Sequence, residues 1–233
     1  MNLSVAIVTH PARAADLPGT LDAVYGADHT TILSDDHGMG CWRNCMRAWR
    51  SVSERATHHL VIEDDLIFCR DFMDGVRAAI EMQPYAPISF YANRKECQEA
   101  HDQGKSWVLI PDGTWGQAVC LPAQMARDFT AWCDRRISPE APKGEHVYLD
   151  SFLALYLMEI KKAAWCTVPS LVDHAGANRS LIGIGHAQKR ARVFLGADRS
   201  ALEIDWTKGF DRPVRGKPSM NPRYRAYLLP EAS

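Results

Sequence analysis

The sequence predicts an α/β fold: one mostly parallel sheet flanked by helices, in a single domain with a basic C-terminal extension. Two observations carry this. Short β-branched runs alternate with segments whose apolar residues recur at helical spacing, the order that builds a parallel sheet with helices on both faces. The polar clusters also sit directly after the apolar runs, where such sheets gather their ligands, outside the carboxyl ends of the strands. A length of 233 residues with 46% hydrophobic and 24% charged residues suits one large core.

Leu3–Thr9 is a buried strand ending at His10-Pro11. Asp16–Tyr25 carries Leu17, Leu21 and Val24 at i, i+4 and i+7, an amphipathic helix. A second strand, Thr30–Leu33, runs into Ser34-Asp35-Asp36. After the Gly38/Gly40 loop, Cys41–Val52 is a helix with Trp42, Cys45, Met46 and Trp49 on one face. The third strand, His59–Ile62, empties into Glu63-Asp64-Asp65. Phe72–Met82 reads as a helix, Ile88–Tyr91 as a strand, and polar Asn93–Ser106 as a surface loop or lid. Trp107–Ile110 and Gly116–Leu121 look like a strand pair around the Pro111-Asp112-Gly113 turn, and Pro122 opens a helix. The loop Ser138–Gly144 precedes a helix over His146–Ile160, and Ala164–Val168 is the last strand, leading to Asp173-His174.

A net charge of −1 gives no overall cationic field for nucleic acid or an anionic membrane. Locally, His186–Tyr227 holds ten Lys/Arg against four Asp/Glu, an excess of six positive charges, and interleaves Lys217, Arg223 and Arg225 with Tyr224 and Tyr227. Charge runs are commonly solvated, but this one also suits a polyanion. The seven cysteines include no Cys-x-x-Cys pair, and Cys41 and Cys45 read as buried thiols. With no signal-peptide pattern and no apolar run near the ~20 residues that span a bilayer, a reducing cytoplasm is the expected compartment, the host's if the chain is phage-encoded.

The chemistry concentrates at Leu60-Val61-Ile62-Glu63-Asp64-Asp65-Leu66. Carboxylates this close repel unless a cation lies among them, and a hard divalent ion bridging a diphosphate is the natural occupant. A capped turn is the plain alternative. The strand followed by Glu-Asp-Asp resembles the Asp-x-Asp signature of GT-A glycosyltransferases, in the spelling of the lipopolysaccharide-type enzymes. The order of elements is similar from Val5 to His174, nearly three quarters of the chain. The boundaries that follow are 1–185 for the GT-A domain and 186–233 for the extension.

The resemblance implies a metal-dependent transferase acting on a nucleotide-sugar, with UDP as the nucleotide. Asp65 would bind the metal directly, Asp64 would contact ribose or metal-bound water, and His174 would complete the coordination; an imidazole tilts the ion toward Mn²⁺ over Mg²⁺. Near the first strand ends, Thr9, His10 and Arg13 would meet the base or phosphate, Asp35 or Asp36 the ribose hydroxyls, and Arg43 the diphosphate. Asn178-Arg179-Ser180-Leu181 resembles a site-closing segment. An inverting transfer needs a general base, for which Asp150 leads and Glu145 is the alternative; first-turn helix charge is the competing reading of both. A retaining outcome stays open. Trp115 suits acceptor stacking or core packing equally.

Compact proteins of this kind resemble phage transferases, some of which decorate hydroxymethylated pyrimidines. The acceptor expected is therefore a hydroxymethylated base in DNA held through residues 186–227, with lipopolysaccharide or another glycan as the rival. A module that binds nucleotide or nucleic acid without chemistry is the alternative of another class. A nucleotidyltransferase is disfavoured, because His10-Pro11-Ala12-Arg13 is no Gly-rich basic loop.

Overall fold

The computed structural model describes residues 1–111, 116–137, 149–175, 190–209 and 228–229. A mixed seven-stranded sheet runs in the order β2(His29–Ser34), β1(Leu3–Thr9), β3(His58–Glu63), β7(Ala118–Pro122), β5(Ile88–Ser89), β8(Ala164–Thr167), β6(Trp107–Ile110). Five strands run one way, and β6 and β7 run against them. A two-stranded sheet pairs β4(Leu66–Phe68) with β9(Val172–His174).

Strand alternation sorts the core onto two faces. Leu3, Val5 and Ile7 of β1, with Leu60 and Ile62 of β3, pack toward α1(Leu17–Ala23) and α3(Phe72–Met82). Ala6 and Val61 face the opposite way, toward α2(Cys41–Arg50), α5(Ala123–Arg136) and α6(Leu149–Glu159). α2 shows why its sequence is a helix here: Cys45, Met46, Ala48 and Trp49 are buried, whereas Arg43, Arg47 and Arg50 face solvent. Asn44, also buried, donates from Nδ2 to the carbonyls of Thr9 and Leu33 at 3.1 and 2.8 Å, which fixes the start of α2 against the ends of β1 and β2.

Three expectations need correction. The stretch read as a loop or lid contains α4(Lys95–Asp102). Its small residues Cys97 and Ala100 are fully buried, and it ends in a Schellman motif: Gly104 has φ +67, Gly104 N–H reaches His101 O at 2.8 Å and Lys105 N–H reaches Ala100 O at 2.9 Å. Only one turn of apolar stripe marks this helix in sequence. Second, β6 and β7 are not a hairpin. β7 is apolar on both faces and lies inside the sheet between β3 and β5, as a doubly covered strand must. β6 goes to the edge beside β8, where Trp107 packs on Trp165 and Trp206 and donates from Nε1 to Trp206 O at 2.9 Å. Third, Ala164–Val168 is not the last strand: β9 follows it and pairs with β4, the apolar residues after Glu63-Asp64-Asp65.

Of the C-terminal extension, residues 190–209 pack on the core: Ala201 and Trp206 join the cluster around α3, and Ser106 N–H bonds Lys208 O at 2.8 Å. No helix among the described residues is long and apolar enough to cross a membrane.

Candidate active site

The parallel register of β1 with β3 sets Val8 opposite Glu63, so the two chains leave the sheet together. Asp64 ties them. Its Oδ2 accepts from Thr9 Oγ1 at 2.6 Å and from His10 N–H at 3.2 Å, and its Oδ1 accepts from Arg13 Nη1 at 2.7 Å. Arg13 belongs to the short turn Pro11–Arg13 after β1, and the same Nη1 lies 3.1 Å from Asp65 Oδ2. One guanidinium thus bridges two carboxylates whose side chains are only 2% and 6% exposed.

Asp65 is placed by the strand pair β4–β9. Leu66 faces His174 in register, which brings His174 Nδ1 to 3.7 Å from Asp65 Oδ2, an ion-pair separation longer than a hydrogen bond, while Ala175 N–H bonds Asp65 O at 2.9 Å. The His174 ring stands edge-on to Tyr91 at 5.6 Å. Burial raises the Asp65 carboxyl, but His174 and Arg13 outweigh it and hold the group below the usual carboxylate range. The Arg13 guanidinium moves upward: burial opposes its charge, and Asp65, Asp64 and Glu63 more than compensate.

Glu63, partly exposed, is pushed well above the ordinary carboxylate range, chiefly by burial and then by Asp65, Cys41 and Asp150. Asp150 sits in the first turn of α6, beside Gly116. Cys41 opens α2 with its Sγ 3.8 Å from that of Cys45; Cys45 is buried as expected, whereas Cys41 is exposed.

The sequence-predicted residues divide accordingly. Thr9, Arg13, Asp64, Asp65 and His174 converge. His10 contributes its backbone N–H, since its Nδ1 is turned back to accept from Ala12 N–H at 3.1 Å. Asp35 is committed to the loop before α2, accepting from Met39 N–H at 2.7 Å and Gly40 N–H at 2.8 Å. Asp36 is exposed and accepts from Ser34 Oγ; Arg43 is on the solvent face of α2. Glu145, Trp115 and Asn178-Arg179-Ser180-Leu181 lie outside the described residues, as does most of 186–227. Within its described part, Arg190 pairs with Asp173, Arg199 with Glu203 and Lys208 with Asp205, which leaves less free positive charge than the sequence count implies. Sequence reasoning gave no role to Glu63, although it quoted the triplet, and none to Gly116, which carries no chemical signal of its own.

The residues present suit a divalent cation. Asp65 Oδ1 is buried with no hydrogen-bond partner, a cost of about 1–3 kcal/mol for a group left unsatisfied. Among the described residues no three ligating side chains converge. A carboxylate plus an imidazole is nevertheless the kind of partial donor set that a hard ion shares with substrate phosphates and water.

No known protein family and no curated protein matches the sequence. Among solved structures, the crystal structure of A197 from STIV is similar at 15% identity and a TM-score of 0.42, over 75% of this chain and 85% of that one, a likeness too distant to bear on function.

Proposed function

We propose that the chain is a metal-assisted glycosyltransferase that takes a sugar from a nucleotide-sugar, with UDP as the nucleotide. One observation carries this reading: Asp65 has a buried, unpartnered oxygen and lies between Arg13 and His174 at the shared exit of β1 and β3. Asp65 and His174 would hold Mn²⁺ or Mg²⁺, which supplies charge neutralisation for a leaving diphosphate. Asp64 holds Arg13 and the β1 exit in place, and the buried, unpartnered Arg13 Nε offers a donor to a phosphate oxygen. In the transfer, the bond from the anomeric carbon to the diphosphate oxygen breaks and its electrons leave with the nucleotide. The acceptor hydroxyl forms the new bond, and its proton passes to the Asp150 carboxylate. Placement of Asp150 near Glu63 and Gly116 supports this role.

The acceptor is a hydroxymethylated base in DNA, with a cell-surface glycan as the rival; parallel transfer assays on both substrates separate them. A binding module without chemistry is favoured by one fact, that Arg13 already neutralises both carboxylates from within the chain. Calorimetric titration of UDP into metal-free protein, with and without Mn²⁺, tests the main reading. Binding should require Mn²⁺ and disappear in Asp65→Ala. Failure of UDP, GDP and CDP to bind under every condition would sink it.

A further inference from the structure

Cys41 and Cys45 are a thiol pair of unequal members. Cys41 opens α2 at the surface, and its Sγ rests 3.8 Å from the Sγ of Cys45, which is buried one turn further on. No side chain caps this helix and no acid lies in its first turn, so the positive end of the helix dipole is left to the residue that stands there. A thiolate is favoured at such an end. The hydrogen bond with Cys45, and then Arg13, hold Cys41 below the usual thiol range against burial, Asp150 and Asp35, whereas Cys45 is pushed well above it by the same contact and by burial. One sulfur is thus reachable and nucleophilic, and the other is a shielded thiol within contact distance of it. The remaining five cysteines are buried. Among them Cys97 and Cys166 also interact, but both are fully buried, away from any reagent in solvent.

We propose that Cys41 and Cys45 form an oxidation site for hydroperoxides, in which Cys41 takes the oxygen and Cys45 resolves the product as a disulfide. The Cys41 sulfur attacks one oxygen of hydrogen peroxide, the O–O bond breaks, and the departing hydroxide takes up a proton and leaves as water; Cys41 is then a sulfenic acid. The Cys45 sulfur attacks that sulfur, the S–O bond breaks, and hydroxide leaves as a second water with the proton of Cys45. Two electrons pass from the thiol pair to the peroxide, and a small-molecule dithiol returns them. The new bond reshapes the start of the helix. Cβ atoms four residues apart on a helix stand about 5–6 Å apart, whereas a disulfide holds them at about 3.5–4.5 Å, so its formation draws Cys41 out of the first turn. Met39 and Gly40 move with it, since both lead directly into Cys41, and their bonds to Asp35 carry the shift to that loop. Trp42 packs on Phe152 at 4.8 Å, so the wall disturbed is the one between α2 and the start of α6, where Asp150 lies. The oxidation needs neither nucleotide nor acceptor and belongs to a transferase and a binding module alike.

The test treats the folded, reduced protein with a slight excess of hydrogen peroxide, as the parent, Cys41→Ser and Cys45→Ser, and counts free thiols after unfolding. In the parent the count should fall by two from seven, and dithiothreitol should restore it. Trypsin cuts between the two cysteines at Arg43, so in a digest the disulfide should join the fragment 14–43 to the fragment 44–47. Cys45→Ser should instead accumulate a dimedone adduct on Cys41, the trapped sulfenic acid, and Cys41→Ser should lose no thiol. A parent that keeps all seven thiols overturns the proposal, as does a disulfide that joins any other pair. An equal yield of dimedone adduct in the parent and Cys45→Ser also overturns it, because Cys45 would then resolve nothing. Formation of the link in urea but not in the folded protein has the same meaning, since the pairing must come from α2. If Cys45→Ser fails to fold, Cys45→Ala replaces it with the same criteria.

Discussion

Replacing Arg13 separates a permanent internal counter-ion from a site that receives a metal. Arg13→Met keeps much of the aliphatic stem and removes the guanidinium. Asp64 would retain Thr9 Oγ1 and His10 N–H, and Asp65 would retain His174 at 3.7 Å, but two carboxylates exposed by 2% and 6% would face each other without the cation that touches both. Removing one partner of a buried ion pair costs about 3–5 kcal/mol. In the parent, Asp65 is held below its unfolded value, so it contributes stability that is present above about pH 4 and lost as acid protonates it. In the variant the sign reverses: the crowded pair takes a proton more readily folded than unfolded, and acidification from pH 7 toward 5 should recover part of the loss. Mn²⁺ at about a hundred times its Kd adds about 2.7 kcal/mol to any protein that binds it only when folded, and relief of the carboxylate repulsion should make the gain larger in Arg13→Met. Urea unfolding followed by tryptophan fluorescence, in EDTA and in MnCl₂, reads all three effects. A variant within about 1 kcal/mol of the parent in EDTA refutes the bridging role. Absence of any Mn²⁺ effect in either protein favours the binding module over the transferase.

Two further predictions concern the frame that carries the site. His59 is fully buried between Ser4 Oγ at 2.7 Å and Ala48 O at 2.9 Å, and burial depresses it to about 4, so the unfolded chain takes up a proton first and stability should fall by about 2–3 kcal/mol from pH 6.5 to 4.5. The double variant Ser4→Ala/His59→Leu leaves Ala48 O with its Ser51 donors, and the difference between its urea-midpoint pH profile and the parent's, which cancels the opposing Glu63 contribution, should show this loss; identical acid limbs would contradict it. Gly75→Ala would bring a Cβ to 2.5 Å from Ala201 Cβ and 3.0 Å from Leu171 Cδ1, an overpacking cost of about 1–3 kcal/mol that Ala201→Gly in the same chain should largely restore. A midpoint unchanged by Gly75→Ala would mean that residues 190–209 do not pack on α3.

The central strands were legible because their signal is local. β1 and β3 are continuous apolar runs, and α3 appears with the boundaries its periodicity predicts, Phe72–Met82. Pairing partners are not local: nothing within Trp107–Leu121 states that two other strands will come between β6 and β7. Short elements also escape, since β4 and β9 have three residues each, too few for a period to show. Among the site residues, the acidic triplet, Arg13 and His174 announced themselves by residue type. Asp35 announced itself the same way and serves the backbone of a loop instead. Residue type identifies what a side chain can bond, and only the fold decides whether a backbone donor reaches it first.

The pairing that sequence could not show is the one that completes the site. Asp65 and His174 meet because Leu66 is opposite His174, and side chains alternate between the faces of a strand, so a slip of one residue would turn the His174 ring away from Asp65. A pair of three-residue strands is too short to hold its register alone. Asp173 supplies the pin. It is 3% exposed and accepts from its neighbour His174 N–H at 2.9 Å, from Ala191 N–H at 2.8 Å and from Arg190 Nε at 2.7 Å, so the segment following residue 190 is bound to β9 at the residue beside the histidine. Ser170 extends the anchor, donating its N–H to Val193 O at 2.7 Å and accepting at its carbonyl from Leu195 N–H at 3.0 Å. The start of the basic extension is therefore part of the scaffold that positions His174, with the charge of Arg190 spent on Asp173.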